Sequence, residues 1–359
     1  MERLKPLQKS GSLPELDYLT TLVELGGKDL RCDTVASVRC AGRELPLHCL
    51  ELGSQDPAAP AIGFFGGVHG VERIGAQVVL AFLHALIRRL DWDQALREML
   101  AHIRVVFMPL VNPGGMLQRT RSNPAGVDLM RNAPVNAEGS VARLLGGQRL
   151  SRRLPWYRGA GSAPMEIESQ ALCQVVEERI LRHRFALTVD CHSGFGTRDH
   201  LWFPYAYTRQ PIESLAELWA LRCLFRDTYP YHSIYVIEPQ SRQYTTHGDL
   251  WDYLYLRNGA REAAPVFLPL TLELGSWLWI KKSPSQLFSL LGIFNPLTPH
   301  RHRRILRQHT TLLDFLLHAS YSHERWLPAP EARPGLEARA RRYWYEADTQ
   351  DTAPPSQAH

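Results

Sequence analysis

The strongest constraint on the fold of this chain is a set of four short apolar runs, at residues 61–65, 103–110, 185–190 and 266–274. None is long enough for a core helix, and runs of this kind fit buried strands. Between them, residues 72–90, 165–182 and 211–225 carry apolar side chains at helical spacing. The first of these ends in Arg88-Arg89, which suits a helix C-terminus. Strands separated by helices predict an α/β protein with a mixed, mostly parallel sheet covered by helices on both faces. Binding sites in such sheets lie beyond the carboxyl ends of the strands.

Around this centre the sequence predicts a helix at 13–25, stopped by Gly26-Gly27, and strands at 34–40, 44–50 and 233–237. A last helix includes 313–319. Residues 116–163 are rich in Gly, Pro, Arg and Asn and read as a long loop, a common place for function. Residues 1–12 read as a loose lead, and the Pro-, Ala- and Arg-rich chain after 328 as a tail with disordered last residues.

The 359 residues carry a net charge of only +5, and the run His300-Arg301-His302-Arg303-Arg304 is short enough to be one helix face. No nucleic-acid role is expected. No run is long and apolar enough to span a membrane, and the lead lacks a signal-like apolar region. Six scattered cysteines without a CxxC pair suit reduced thiols. Together these features predict a cytoplasmic protein with no membrane partner and leave its oligomeric state open.

Three apolar runs end in chemistry. After 61–65 comes Gly66-Gly67-Val68-His69-Gly70-Val71-Glu72, which sets an imidazole and a carboxylate at a tight strand-to-helix corner. After 185–190 comes His192, followed by the turn Gly194-Phe195-Gly196. With His69 and Glu72 it would hold one Zn²⁺ and leave a position open, the layout of a hydrolytic rather than a structural zinc. Asp190 is either a support for His192 or a solvated charge at a strand end. Glu273, inside the fourth run, is costly to bury unless partnered, so it is either a general base or half of a buried ion pair.

These residues fall in a longer order. His69-x-x-Glu72 is followed by Asn112-Pro113-Gly114-Gly115, then Gly126-Val127-Asp128-Leu129-Met130-Arg131-Asn132, His192-Ser193, Tyr244 with Gly248, and Glu273. Over residues 60–280 this order resembles the zinc carboxypeptidases of the carboxypeptidase A type, with a bacterial branch as the nearest pattern. The resemblance implies one carboxypeptidase-like domain at 31–325, preceded by a lead and helix at 1–30 and followed by a partly disordered tail at 326–359. It implies His69, Glu72 and His192 as zinc ligands, Glu273 as general base, and Asp128 as the carboxylate orienting a ligand imidazole. Arg121, in preference to Arg119, would stabilise the oxyanion. Arg131 would hold a substrate carboxylate, Tyr244 would close over the substrate, and Trp251 would face its side chain.

Met130 stands at a fourth substrate-binding position but departs from the pattern, which has Asn there, and a thioether donates no hydrogen bond. The expected activity is a metallocarboxypeptidase acting on peptides. The alternatives are a deacylase of N-acyl amino acids, similar to aspartoacylase or succinylglutamate desuccinylase, and a zinc-binding protein without turnover.

Overall fold

The computed structural model describes residues 13–142 and 144–346. Among these residues eight strands form one sheet: β1 (Arg31–Cys40), β2 (Arg43–Gly53), β3 (Ala61–Gly66), β4 (Arg104–Met108), β5 (Phe185–Ser193), β6 (Asp199–Phe203), β7 (Tyr235–Pro239) and β8 (Val266–Leu274). Their order is β1-β2-β4-β3-β5-β8-β6-β7. The centre, β4-β3-β5-β8, is parallel. Pairing turns antiparallel at β1–β2, β2–β4 and β6–β8, and β7 rejoins β6 in parallel. The sheet is therefore mixed and mostly parallel, as the alternation of strand and helix predicts.

Among the described residues twelve α-helices surround it: α1 (Pro14–Gly26), α2 (Arg73–Arg89), α3 (Gln94–Leu100), α4 (Pro113–Gln118), α5 (Ile167–Arg179), α6 (Leu215–Thr228), α7 (Leu250–Gly259), α8 (Trp277–Lys282), α9 (Leu290–Phe294), α10 (Pro299–Tyr321), α11 (His323–Trp326) and α12 (Arg333–Arg341). One face of the sheet is covered by α2 and α10, with α1 packed on α2. There α6 meets α10 through Phe225 and Phe315, whose rings lie 5.0 Å apart. The other face carries α4 and α5 over β1 and β2, and α7 over β8. The buried Phe64, Phe82 and Phe107 join β3, α2 and β4 at the centre of the core. No helix among the described residues is long and apolar enough to cross a membrane.

Two regions extend the sequence reading. The last long helix begins at Pro299, well before 313, because His302 and His309 occupy buried positions of its stripe. Part of the tail is packed: α12 lies against α6, and Trp344 is buried, with its indole N–H donating to Ile237 O at 2.8 Å. The lead at 1–12 and the last residues, 347–359, lie outside the described residues.

Candidate metal centre

The parallel strands deliver their carboxyl ends to one edge of the sheet. His69 and Glu72 lie in the corner between β3 and α2, His192 near the end of β5, and Glu273 near the end of β8. His192 and Glu273 are direct partners in the β5–β8 register. The corner is pressed on β5, since a Cβ on Gly75 would stand 2.1 Å from Cys191 O. Only glycine lets α2 approach the strand this closely.

Potential ligand atoms of His69, Glu72 and His192 lie within 4.8 Å of one another, and all three side chains are buried. His69 Nδ1 is 2.9 Å from Glu72 Oε1, and His192 Nδ1 is 3.1 Å from Glu72 Oε2. Each Nε2 turns away to a buried aspartate: His69 to Asp128 Oδ1 at 3.0 Å, His192 to Asp190 Oδ2 at 2.7 Å. A carboxylate behind an imidazole fixes its tautomer and ring angle and raises its basicity. Both Nδ1 atoms are thereby directed at Glu72. Asp190, open between two readings in the sequence, is fully buried and also accepts from Trp251 Nε1 at 3.0 Å.

The electrostatics fit a cation. Glu72, Asp128, Asp190 and Glu273 are all buried here, and the neighbouring guanidiniums are those of Arg121 and Arg131. Burial alone would raise Glu72, but His69, His192 and Arg121 outweigh it and hold its carboxyl below the usual range. Burial likewise opposes charge on His192, yet Asp190 and Glu72 raise its pKa well above the ordinary value. A carboxylate between two imidazole Nδ1 atoms is stabilised by positive charge, either protons on the rings or a divalent cation in their place. Two His and one Glu suit zinc. Glu273 behaves differently: burial first, and then the charge of Glu72, push it up to about 8 against His192, Arg121 and the Phe195 N–H.

Arg121 lies beside the cluster. Its Nε donates to Asp128 Oδ2 at 2.9 Å and its Nη1 to Glu72 Oε1 at 2.8 Å. The Tyr244 hydroxyl lies near Arg131, Arg121 and Glu273; burial raises its pKa first, and the two arginines oppose that. Arg131 is turned to the main chain, with Nη1 on Met130 O at 3.1 Å and Nε and Nη2 on Leu145 O at 3.3 and 3.4 Å.

Two expected substrate contacts are placed elsewhere. Met130 joins the hydrophobic core, its N–H donating to Asp128 Oδ1 at 3.1 Å. Trp251 is also in the core, its ring 5.2 Å from Phe65 and its one polar atom committed to Asp190. Both stand behind the cluster, where the turn at Asp128 and the start of α7 pack inward.

The structure adds two contacts that the motifs do not contain. Ser193 N–H donates to Glu72 Oε2 at 3.0 Å, and Phe195 N–H to Glu273 Oε1 at 3.0 Å. The only sequence sign of them is the glycine-flanked turn after His192. Phe195 also leads into a ring cluster with Trp202, Tyr244 and Trp277, at centroid distances of 5.2, 5.7 and 5.5 Å. A separate cavity of about 480 Å³ opens near Pro60 and Arg184, at the opposite edge of the sheet, and none of the cluster residues lines it.

A His–Glu–His cluster with an adjacent carboxyl, at the carboxyl edge of a parallel sheet, has the donor set of a metal-dependent hydrolase. The family model for zinc carboxypeptidases (Peptidase_M14) matches residues 39–277, and the chain belongs to that family. It is 27% identical to carboxypeptidase SOL1 of Arabidopsis thaliana over 29% of this chain and 22% of that protein. It is 26% identical to carboxypeptidase D of Anas platyrhynchos over 49% of this chain and 11% of that protein. The matched regions thus span less than a quarter of either relative's length. Its fold is that of bovine thrombin-activatable fibrinolysis inhibitor, solved with a tick carboxypeptidase inhibitor. That match has a TM-score of 0.61 and 17% identity, covering 88% of this chain and 98% of the other.

Proposed function

We propose that this protein is a zinc-dependent metallopeptidase of carboxypeptidase type, releasing a terminal residue from a peptide. The observation that carries this reading is the convergence of His69, Glu72 and His192 within 4.8 Å, with Glu273 in register beside His192.

His69, Glu72 and His192 would hold the ion, with Asp128 and Asp190 fixing the two rings. Zinc, when bound, supplies Lewis acidity and makes water a nucleophile near neutral pH. Glu273 accepts the proton of the attacking water and passes it to the leaving nitrogen. A carboxyl raised toward neutrality is suited to both transfers. The Phe195 N–H holds Glu273 in place during the exchange. The Arg121 guanidinium faces the developing negative charge on the scissile carbonyl oxygen, and preorganised donors of this kind supply a large part of catalysis. Tyr244 closes the site against water, and Arg131 attracts the anionic end of the substrate.

One observation favours a second reading, hydrolysis of N-acyl amino acids. Met130 lies in the core, so no side-chain amide accompanies Arg131 in gripping a peptide's terminal carboxylate. A panel of free and C-terminally blocked peptides, assayed beside N-acyl amino acids, separates the two. Glu273→Gln is expected to retain zinc by elemental analysis and to lose about 10²- to 10⁴-fold in turnover. Retention of most activity would remove Glu273 as the base.

A further inference from the structure

From Glu273 to Asp314 the intervening chain has no aspartate or glutamate, and it holds six lysines and arginines. The whole protein carries only +5, so the rest of the molecule is close to neutral. The positive charge is concentrated in the segment that follows β8 and forms one side of the site's mouth.

The segment is firmly seated. Trp277 Nε1 donates to Gly194 O at 2.9 Å, beside Phe195 and Glu273. The buried Gln286 side chain donates to Gly292 O and Asn295 O, and Asn295 in turn donates to Val71 O at 2.7 Å, next to Glu72. Arg301 ties the start of α10 to Trp279 O and Gln286 Oε1. From this anchored base, apolar side chains project into solvent: Phe288 is 95% exposed, Leu287 56% and Trp277 48%. Lys281 and Lys282 are exposed between them, and Arg303 and Arg304 continue the exposed positive charge along α10.

A protruding, nearly fully exposed phenylalanine is a tip rather than a groove. Apolar tips flanked by lysines match the boundary between lipid headgroups and acyl chains. The rings enter the apolar side, while the ammonium groups reach back to phosphates. Each base near an anionic leaflet adds attraction that salt screens.

We propose that Trp277, Lys281, Lys282, Leu287 and Phe288 form a docking tip for an anionic lipid surface. It is a peripheral contact, independent of any membrane span, and it sets the mouth of the metal centre beside the bilayer. The contact does not depend on the hydrolytic reading and is testable without turnover.

The full-length protein is mixed with vesicles of phosphatidylcholine alone, or of phosphatidylcholine with phosphatidylglycerol, and sedimented at low and high salt. The expected result is pelleting with the anionic vesicles only, lost at high salt. The double variants Leu287→Ala/Phe288→Ala and Lys281→Glu/Lys282→Glu should each reduce partitioning at least about tenfold. All four side chains are exposed, so the melting temperatures of both variants should match the parent's. Three results overturn the proposal: no pelleting with anionic vesicles, equal pelleting with neutral ones, or full binding by either variant. A concentration-dependent dimer abolished by Leu287→Ala/Phe288→Ala, without vesicle binding, would assign the tip to a second copy instead.

Discussion

Asp190→Asn is the most searching test of the metal centre, because it exchanges one carboxylate oxygen for an NH₂ group and leaves all three ligand side chains in place. Asp190 Oδ2 accepts from His192 Nε2 at 2.7 Å and from Trp251 Nε1 at 3.0 Å, and the side chain is fully buried. An amide keeps one acceptor oxygen and loses the charge. Its NH₂ falls at the Oδ1 position, which has no hydrogen-bond partner, so a new buried donor is left unsatisfied. Hydrogen bonds to charged groups contribute about 1.5–3 kcal/mol. Removing the carboxylate behind a ligand imidazole lowers metal affinity about 10- to 100-fold, or roughly 1.4–2.8 kcal/mol. Zinc affinity is measured by competition against a chromophoric chelator, on protein whose melting curve shows it to be folded. Trp251→Phe removes one donor to the same oxygen and keeps the charge, so its loss should stay below about tenfold. A folded Asp190→Asn protein that binds zinc within about twofold of the parent would refute the role of Asp190.

Glu15→Ala should destabilise the protein by about 3–5 kcal/mol in urea titration, because it strands the buried Arg73, whose Nε donates to Glu15 Oε1 at 3.0 Å. His309 is buried against Tyr235, 3.7 Å from Asp199 and near His232; burial outweighs Asp199 and lowers its pKa from 6.5 to about 4. As pH falls from about 6.5 to about 4 the unfolded chain binds a proton that the folded chain refuses, so about 3 kcal/mol of stability is lost across that window. His309→Gln should flatten this part of the slope, and identical slopes in the two proteins would exclude His309 as its source. Gly248 has φ +75°, and a Cβ there would lie 2.0 Å from Arg131 O. Gly248→Ala should therefore displace Arg131 and cost about a hundredfold in kcat/KM on peptides with a free carboxylate, with no change in zinc content.

The legible parts of the fold were those written in apolar letters. β8 matches the sequence reading residue for residue, because Pro265 and Gly275 bracket a continuous run. β6 escaped it, being five residues long and opening on Asp199 and His200. The first half of α10 escaped because histidines fill core positions of its stripe. His302 bonds to Gln77 and His309 to Tyr235, so burial there is satisfied by hydrogen bonds that apolar periodicity does not register. In the site, the His69–Glu72 spacing and the two strand-end residues were legible as motifs. The donors from Ser193 and Phe195 were not, since every residue carries the same N–H and only the path of the turn aims it. Asp190 was ambiguous for a related reason: its second partner, Trp251, comes from 61 residues away. Met130 and Trp251 turn into the core because a family position specifies where a residue lies along the chain, while packing decides which way its side chain turns.

The contact between Gly75 and Cys191 makes the corner of His69 and Glu72 one mechanical block with the strand of His192. The rim over this block comes from other parts of the chain: the loop of Arg121 and Arg131, and the segment after β8. Such a division is a chassis with exchangeable fittings. Substitutions in the rim can retune what the protein accepts while the ion's seat keeps its shape. A substitution as small as one methyl group at Gly75 would disturb that seat under every choice of rim.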